Sequence, residues 1–137
     1  MEVLLTLQND IIALKNKKIG DLEVEKELCN ILIQTAEEVI ATMNKIIAVR
    51  KTMTFHKPLD GLLEEAIEYI EEMHENYVYV IEAAYKSIRL KRLFEALDEA
   101  LGGIDDFIES VNELFEDQGF NFSYIESWDV GFFVENM

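Results

Sequence analysis

Two spacings in this chain put metal-ligand side chains on one side of a helix. Glu71 and His74 form Glu-x-x-His. Glu65-x-x-Glu68 is followed, after 26 intervening residues, by Glu95-x-x-Asp98. Residues three apart on a helix project to the same side, so each pair can share a ligand. In bundled di-iron sites, two helices each supply Glu-x-x-His and two others each supply a Glu. The only other histidine here is His56, with Met53 three residues before it, so that ligand count fails. His74 instead reads as a hydrogen-bonded, partly buried member of an apolar ladder.

The carboxylate pairs suit a hard cation such as Mg²⁺, which takes oxygen ligands and neutralises phosphate charge. In the spacing of Glu65, Glu68, Glu95 and Asp98 the chain resembles the all-α, MazG-like nucleotide pyrophosphohydrolases. The resemblance implies four carboxylates from two helices holding Mg²⁺ against substrate phosphates. It is confined to that spacing, and residues 69–94 would have to turn back to join the two pairs. Glu68/Glu71 and Glu72/Glu75 repeat the same interval, as a solvated acidic face does. Cys29 lies in an apolar ladder, where a thiol acts as a small hydrophobe with a raised pKa. No Gly-rich phosphate loop follows a strand, and no Ser–His–acid set is evident. The expectation is a protein without catalytic residues, cofactor or metal, with metal-dependent nucleotide hydrolysis as a third reading.

Charge supplies the leading reading. The 137 residues carry a formal net charge of −16, with 28 acids against 12 Lys and Arg. Every base lies at or before Arg92, and residues 93–137 hold twelve acids and no base. Such a surface repels nucleic acid and anionic membranes and attracts a basic protein. Glu64, Glu65, Glu68, Glu71, Glu72 and Glu75 line one helical stretch, with no Lys or Arg from Pro58 to Tyr85. Asp105, Asp106, Glu109, Glu113, Glu116 and Asp117 line another. The basic clusters Lys15-Lys17-Lys18, Arg50-Lys51-Lys57 and Lys86–Arg92 can touch a phosphate, but they also suit helix ends and neighbouring acids. A single cysteine fits a reducing compartment. The start, MEVLLTLQND, has an acid where a signal peptide carries Lys or Arg, and no apolar run approaches a membrane span. The expected location is the cytoplasm.

The elements that position these faces are helical in pattern. Leu4, Leu7, Ile11 and Leu14 predict a first helix ending near Lys17–Gly20, and Asp21 is placed to cap a second. Cys29, Ile33, Ala36, Ile40, Met43 and Ile47 form a ladder on that second helix. Leu28, Leu32, Val39 and Ile46 widen it, which makes this helix central. It ends around Lys51–Phe55, before His56-Lys57-Pro58.

From Asp60 to Leu101 the ladder Leu63, Ile67, Ile70, His74, Tyr77, Ile81, Ala84, Ile88 gives way to one a residue out of phase. That second ladder is Leu90, Phe94, Leu97, Leu101, Ile104, Ile108, Val111 and Phe115. A single straight helix here would span about 60 Å, against about 37 Å for a compact domain of this size. A bend or break near Lys86–Arg92 is therefore expected. Gly102-Gly103 predicts a second break, because a helix through both costs roughly 2 kcal/mol relative to Ala. A short helix then runs from about Ile104 to Glu116 and ends at Gly119.

After Gly119 the period changes to alternation, in Phe120, Phe122, Tyr124 and again in Val130, Phe132, Val134, around a turn holding Trp128. This reads as a small hairpin that needs a helix face to cover it. Phe120, Phe122 and Phe132 read as core-closing and Trp128 as a partner contact. With no base after Arg92, these aromatics lack the cationic groove of a nucleobase-stacking platform.

The fold class is mainly α: one domain of four to five helices, with residues 119–137 as a C-terminal β-hairpin or extended segment packed on it. The function read from charge is binding, by a small acidic protein that inhibits or neutralises a basic, nucleic-acid-binding type of partner. Immunity proteins, antitoxins and phage counter-defence proteins have these properties, and some small acidic phage and bacterial proteins imitate the phosphates of DNA. The expected partner-binding residues are Glu64, Glu68, Glu71, Glu75, Asp105, Asp106, Glu109, Glu113 and Trp128. A structural or homo-oligomerising helical module is the alternative, supported by the long ladders.

Overall fold

A computed structural model of the chain describes residues 1–18 and 22–125. Its α-helices are α1 (Glu2–Asn16), α2 (Glu23–Arg50), α3 (Lys57–Glu82) and α4 (Leu90–Leu114), with single 3-10 turns at Tyr85–Ser87 and Glu116–Gln118. No strand occurs among the described residues. The proposed Asp21 cap and the second half of the hairpin, with Trp128, lie outside those residues.

Side-chain contacts fix the helix directions. Lys15 Nζ lies 3.6 Å from Glu37, and Gln8 shares a groove with Asn44, so α1 and α2 are antiparallel. Arg50 pairs with Asp60, and Tyr77 Oη donates to Leu32 O, so α2 and α3 are antiparallel. His74 meets Asp10 while Lys17 meets Ile81, which makes α1 and α3 parallel. Gly103 packs on Tyr69, and Asn76 faces Ala96 across a cavity, so α4 returns against α3. The result is an up-down-up-down bundle with short connections. The most extensive pairing is α3 on α4, and α3 also packs on α1. It is α3, not α2, that sits at the hub.

The core is one continuous cluster drawn from all four helices plus Ile88, Phe115 and Ile125. The apolar ladder of α4 is buried as spaced, from Leu90 through Val111. On α2 and α3 half of each ladder is buried as spaced, Cys29, Ala36 and Met43 on the one and Leu63, Ile70 and Tyr77 on the other, while the alternate members yield to a neighbouring stripe. Leu28, Leu32, Val39 and Ile46 are buried while Ile33, Ile40 and Ile47 are only partly so; Ala66, Met73 and Val80 are buried where Ile67, His74 and Ile81 are not fully. Both helices have apolar residues on two adjacent stripes, and the 3.6-residue turn, not a heptad, decides which one meets the neighbours.

The helix ends follow local chemistry. Pro58 lies in the first turn of α3, where its missing N–H costs nothing, so α3 starts three residues ahead of Asp60. No base of α3 lies in its own last turn. Lys17 of α1 supplies the cation, donating to Ile81 O at 3.0 Å and Ala83 O at 2.9 Å. The chain then turns through residues 83–89, as the phase change between the ladders predicts. The break expected at Gly102-Gly103 does not occur, because α4 runs through both glycines. Burial of Leu97, Leu101, Ile104 and Ile108 along one stripe outweighs the propensity cost, at roughly 1.5–3 kcal/mol per buried side chain. Gly119, at φ 76°, closes the turn after α4 in the left-handed region that favours glycine.

Candidate protein-interaction surface

The core face of α3 runs through Leu59, Leu63, Ala66, Ile70, Met73, Tyr77 and Val80. At 100° per residue, Glu64, Glu68, Glu71 and Glu75 fall on the opposite side, and all four are exposed. Successive acids in this stripe are three or four residues apart, about 5–6 Å. Glu65 and Glu72, also exposed, broaden it on one flank.

On α4 the outward stripe comprises Glu95, Glu99, Asp106, Glu109 and Glu113, all exposed. Glu95 and Glu99 join this face because the helix is continuous through the two glycines. A break at Gly102 would have separated them; the sequence reading did not count them with this face. The register of Tyr69 beside Gly103 sets Glu64 level with the Asp106–Glu109 turn and Glu68 level with Ile104, one turn earlier. The two stripes therefore occupy adjacent outer faces of the α3/α4 pair. None of the ion pairs among the described residues involves an acid of either stripe.

Asp105 departs from this set. It is half-buried, and its Oδ1 accepts the Ile125 N–H at 2.9 Å. Burial pushes its carboxyl above the ordinary value, with Asp106 adding to the rise and the Ile125 bond opposing it. One turn pair further along α4, Asn112 bonds the backbone of Phe122 from both sides: Nδ2 donates to Phe122 O at 2.9 Å, and Phe122 N–H donates to Oδ1 at 2.7 Å. Residues 120–125 form no regular element, and the amide of Asn112 pairs with both backbone groups of Phe122. Ile125 enters the core at 4 % exposure, Phe122 is partly buried, and Phe120 is 40 % exposed. Phe120 still packs edge-on against buried Phe115, with ring centres 5.7 Å apart. Ile125, rather than Phe120, is thus the apolar anchor of the described tail.

Glu65, Glu68, Glu95 and Asp98 are all exposed, and the register separates the two pairs along the bundle. Glu68 lies beside the level of Ile104, about 13 Å along the axis from Glu95. No group of three or more His, Cys, Asp or Glu poised for a metal occurs among the described residues.

His74 is half-buried and pairs with Asp10, Nδ1 to Oδ2 at 2.5 Å. Asp10 is itself buried, at 6 % exposure. Burial raises its pKa, and the bond and charge of His74 oppose that rise. The sequence reading did not single out Asp10, although it occupies a core position of α1 between Leu7 and Leu14. An acid on an apolar stripe is the signal that finds it. Tyr77 is fully buried beside this pair, its phenol pushed well up by burial and by the Asp10 charge. Cys29 is buried at 2 %, and burial, with Glu25 nearby, raises its thiol pKa, so it is a packing residue.

α1 shows a different surface. Met1, Leu5 and Ile12 are 38 %, 65 % and 53 % exposed, and with Gln8 they form an outward stripe opposite the core. No helix among the described residues is long and apolar enough to cross a membrane. No protein family, curated protein or solved structure gives a significant match to this chain.

Proposed function

We propose that this chain is a non-enzymatic binding protein that occupies the basic surface of another protein, of nucleic-acid-binding type, and blocks it. The observation that carries this reading is the pair of unneutralised acidic stripes on the adjacent outer faces of α3 and α4. Nine exposed carboxylates at helical spacing, fixed on rigid elements, raise the local negative potential along α3 from Glu64 to Glu75 and along α4 from Glu95 to Glu113. An acid left without an internal cation keeps its charge for a partner. Like charges at i, i+4 also destabilise a helix by a few tenths of a kcal/mol per pair, and the bundle bears that cost on both helices. Complementary charge of this kind speeds encounter and excludes acidic competitors.

The test is affinity capture on immobilised wild type beside the variant carrying Glu64→Gln, Glu68→Gln, Glu71→Gln and Glu75→Gln. The reading expects a strongly basic protein on the first and its loss on the second. Equal retention on both, or no basic protein on either, contradicts it.

A second reading, self-association, is favoured by the exposed stripe Met1, Leu5, Ile12. Light scattering at micromolar concentration decides it: a dimer that Leu5→Glu dissociates supports it, and a monomer of the parent chain removes it.

A further inference from the structure

Four of the twelve cations of this acidic chain, Lys86, Arg89, Lys91 and Arg92, fall within seven residues, and no acid occurs from Ala83 to Phe94. Two of them, Arg89 and Arg92, line a cavity of about 620 Å³ between the end of α3, the 3-10 turn at 85–87 and the start of α4. Arg89 and Arg92 form its cationic side, and Asn76, Tyr79 and Ser87 its neutral polar side. Its floor is apolar, from Leu93 and Ala96. A volume of this order suits a small organic molecule.

Neither arginine takes part in an ion pair or side-chain hydrogen bond among the described residues. That contrasts with Arg50, which is spent on Asp60 at 2.6 Å. The wall opposite is fixed: Tyr79 Oη donates to Ser87 O at 3.0 Å, and Ser87 Oγ donates to Ala84 O at 2.8 Å. The tyrosine ring stays 41 % exposed. The arrangement is also locally unfavourable. α4 has no acid in its first turn and no side-chain cap, yet Arg89 stands at its N-cap position and Lys91 and Arg92 lie in its first turn. Cations at the positive end of a helix dipole destabilise it, and breaches of a local rule concentrate at functional sites.

We infer that this cavity binds a small organic phosphate, with the guanidinium groups of Arg89 and Arg92 on the phosphate and the exposed Tyr79 ring against the organic part. Guanidinium forks match phosphate oxygens two at a time, and both are free to do so here. An aromatic face takes a planar or apolar group without specifying it. The occupied site removes the charge conflict at the start of α4, so the ligand also stabilises the fold by mass action. This site lies on the basic end of the molecule and does not depend on the acidic stripes.

The experiment is calorimetric titration of the full chain with adenosine monophosphate, ribose 5-phosphate and inorganic phosphate at constant ionic strength, together with the shift in thermal midpoint each produces. At least one organic phosphate is expected to bind and raise the midpoint, more tightly than inorganic phosphate. Arg92→Gln and Arg89→Gln should each weaken that binding about tenfold or more, the effect of losing a charge-assisted hydrogen bond. Lys51→Gln, an exposed base outside the cavity, should leave it unchanged. Tyr79→Leu should narrow the preference over inorganic phosphate. Equal weakening in Lys51→Gln, unchanged binding in both arginine variants, or no binding of any of the three ligands overturns the assignment. Circular dichroism of each variant confirms that it is folded before it is scored.

Discussion

The ring of Tyr69 on α3 fills the space beside Gly103 on α4: a Cβ added at residue 103 would lie 2.3 Å from ring atoms Cδ1 and Cε1. Gly103 is therefore a notch that lets the two most extensively packed helices close together, and not a stop signal. Gly102, one residue earlier, faces open space. The two neighbours should respond oppositely to the same substitution. Gly102→Ala is expected to stabilise by about 1 kcal/mol through helix propensity. Gly103→Ala should destabilise, because overpacking costs about 1–3 kcal/mol and exceeds the same propensity gain. Thermal midpoints of the two variants check this. Adding Tyr69→Ala to Gly103→Ala should make the pair strongly non-additive.

Asp10 gives a pH signature. Its folded pKa is raised, chiefly by burial, so the native state binds its proton more readily than the unfolded chain. That contribution to stability is present below the ordinary carboxyl value of 3.8 and is lost as pH rises through the raised folded value. Asp10→Asn cannot titrate. The unfolding free energy of wild type minus that of Asp10→Asn should therefore fall as pH rises across the acid range, from below the ordinary value to above the raised one, and then level. A difference that stays flat or rises there would contradict the raised pKa. Denaturant titrations at closely spaced pH values supply it.

The Asn112 clamp should control the segment that follows Gly119. Asn112→Ala removes two hydrogen bonds at about 1 kcal/mol each, and Asn112→Asp keeps the acceptor but loses the donor. Amide exchange at Phe122 and Ile125 should speed up most in Asn112→Ala, less in Asn112→Asp, and little elsewhere on α4. Global exchange of the whole helix would mean that the clamp is not a local device.

Trp128 is read as a contact for the partner. Trp128→Ala should leave the thermal midpoint near that of wild type and weaken capture of the partner by at least about tenfold, the behaviour of an aromatic anchor. Intact binding at unchanged stability removes that role.

Much of the fold was legible because burial follows period. The α4 ladder and the turn between α3 and α4 came from spacing and from one change of phase. Less visible were features set by a second helix. Gly103 looks like a break until Tyr69 is known to lie against it, and Asp10, an acid on the apolar stripe of α1, has no partner in view until His74 of α3 comes to meet it. Asp105 was grouped with the partner-facing acids, since nothing local marks it as the acceptor for Ile125, twenty residues on. The acidic stripe of α3 was legible in full, because an outer face needs no partner to define it. That of α4 was legible only beyond Gly102.

The central claim is that the stripes of α3 and α4 hold the partner by charge. Its most direct measurement is the salt dependence of the dissociation constant of the captured complex, for wild type and for the variant carrying Glu64→Gln, Glu68→Gln, Glu71→Gln and Glu75→Gln. The account predicts a steep loss of affinity between low salt and a few hundred millimolar for wild type, and a clearly shallower slope for the variant. Equal slopes for the two proteins, or a wild-type affinity indifferent to salt, would contradict it.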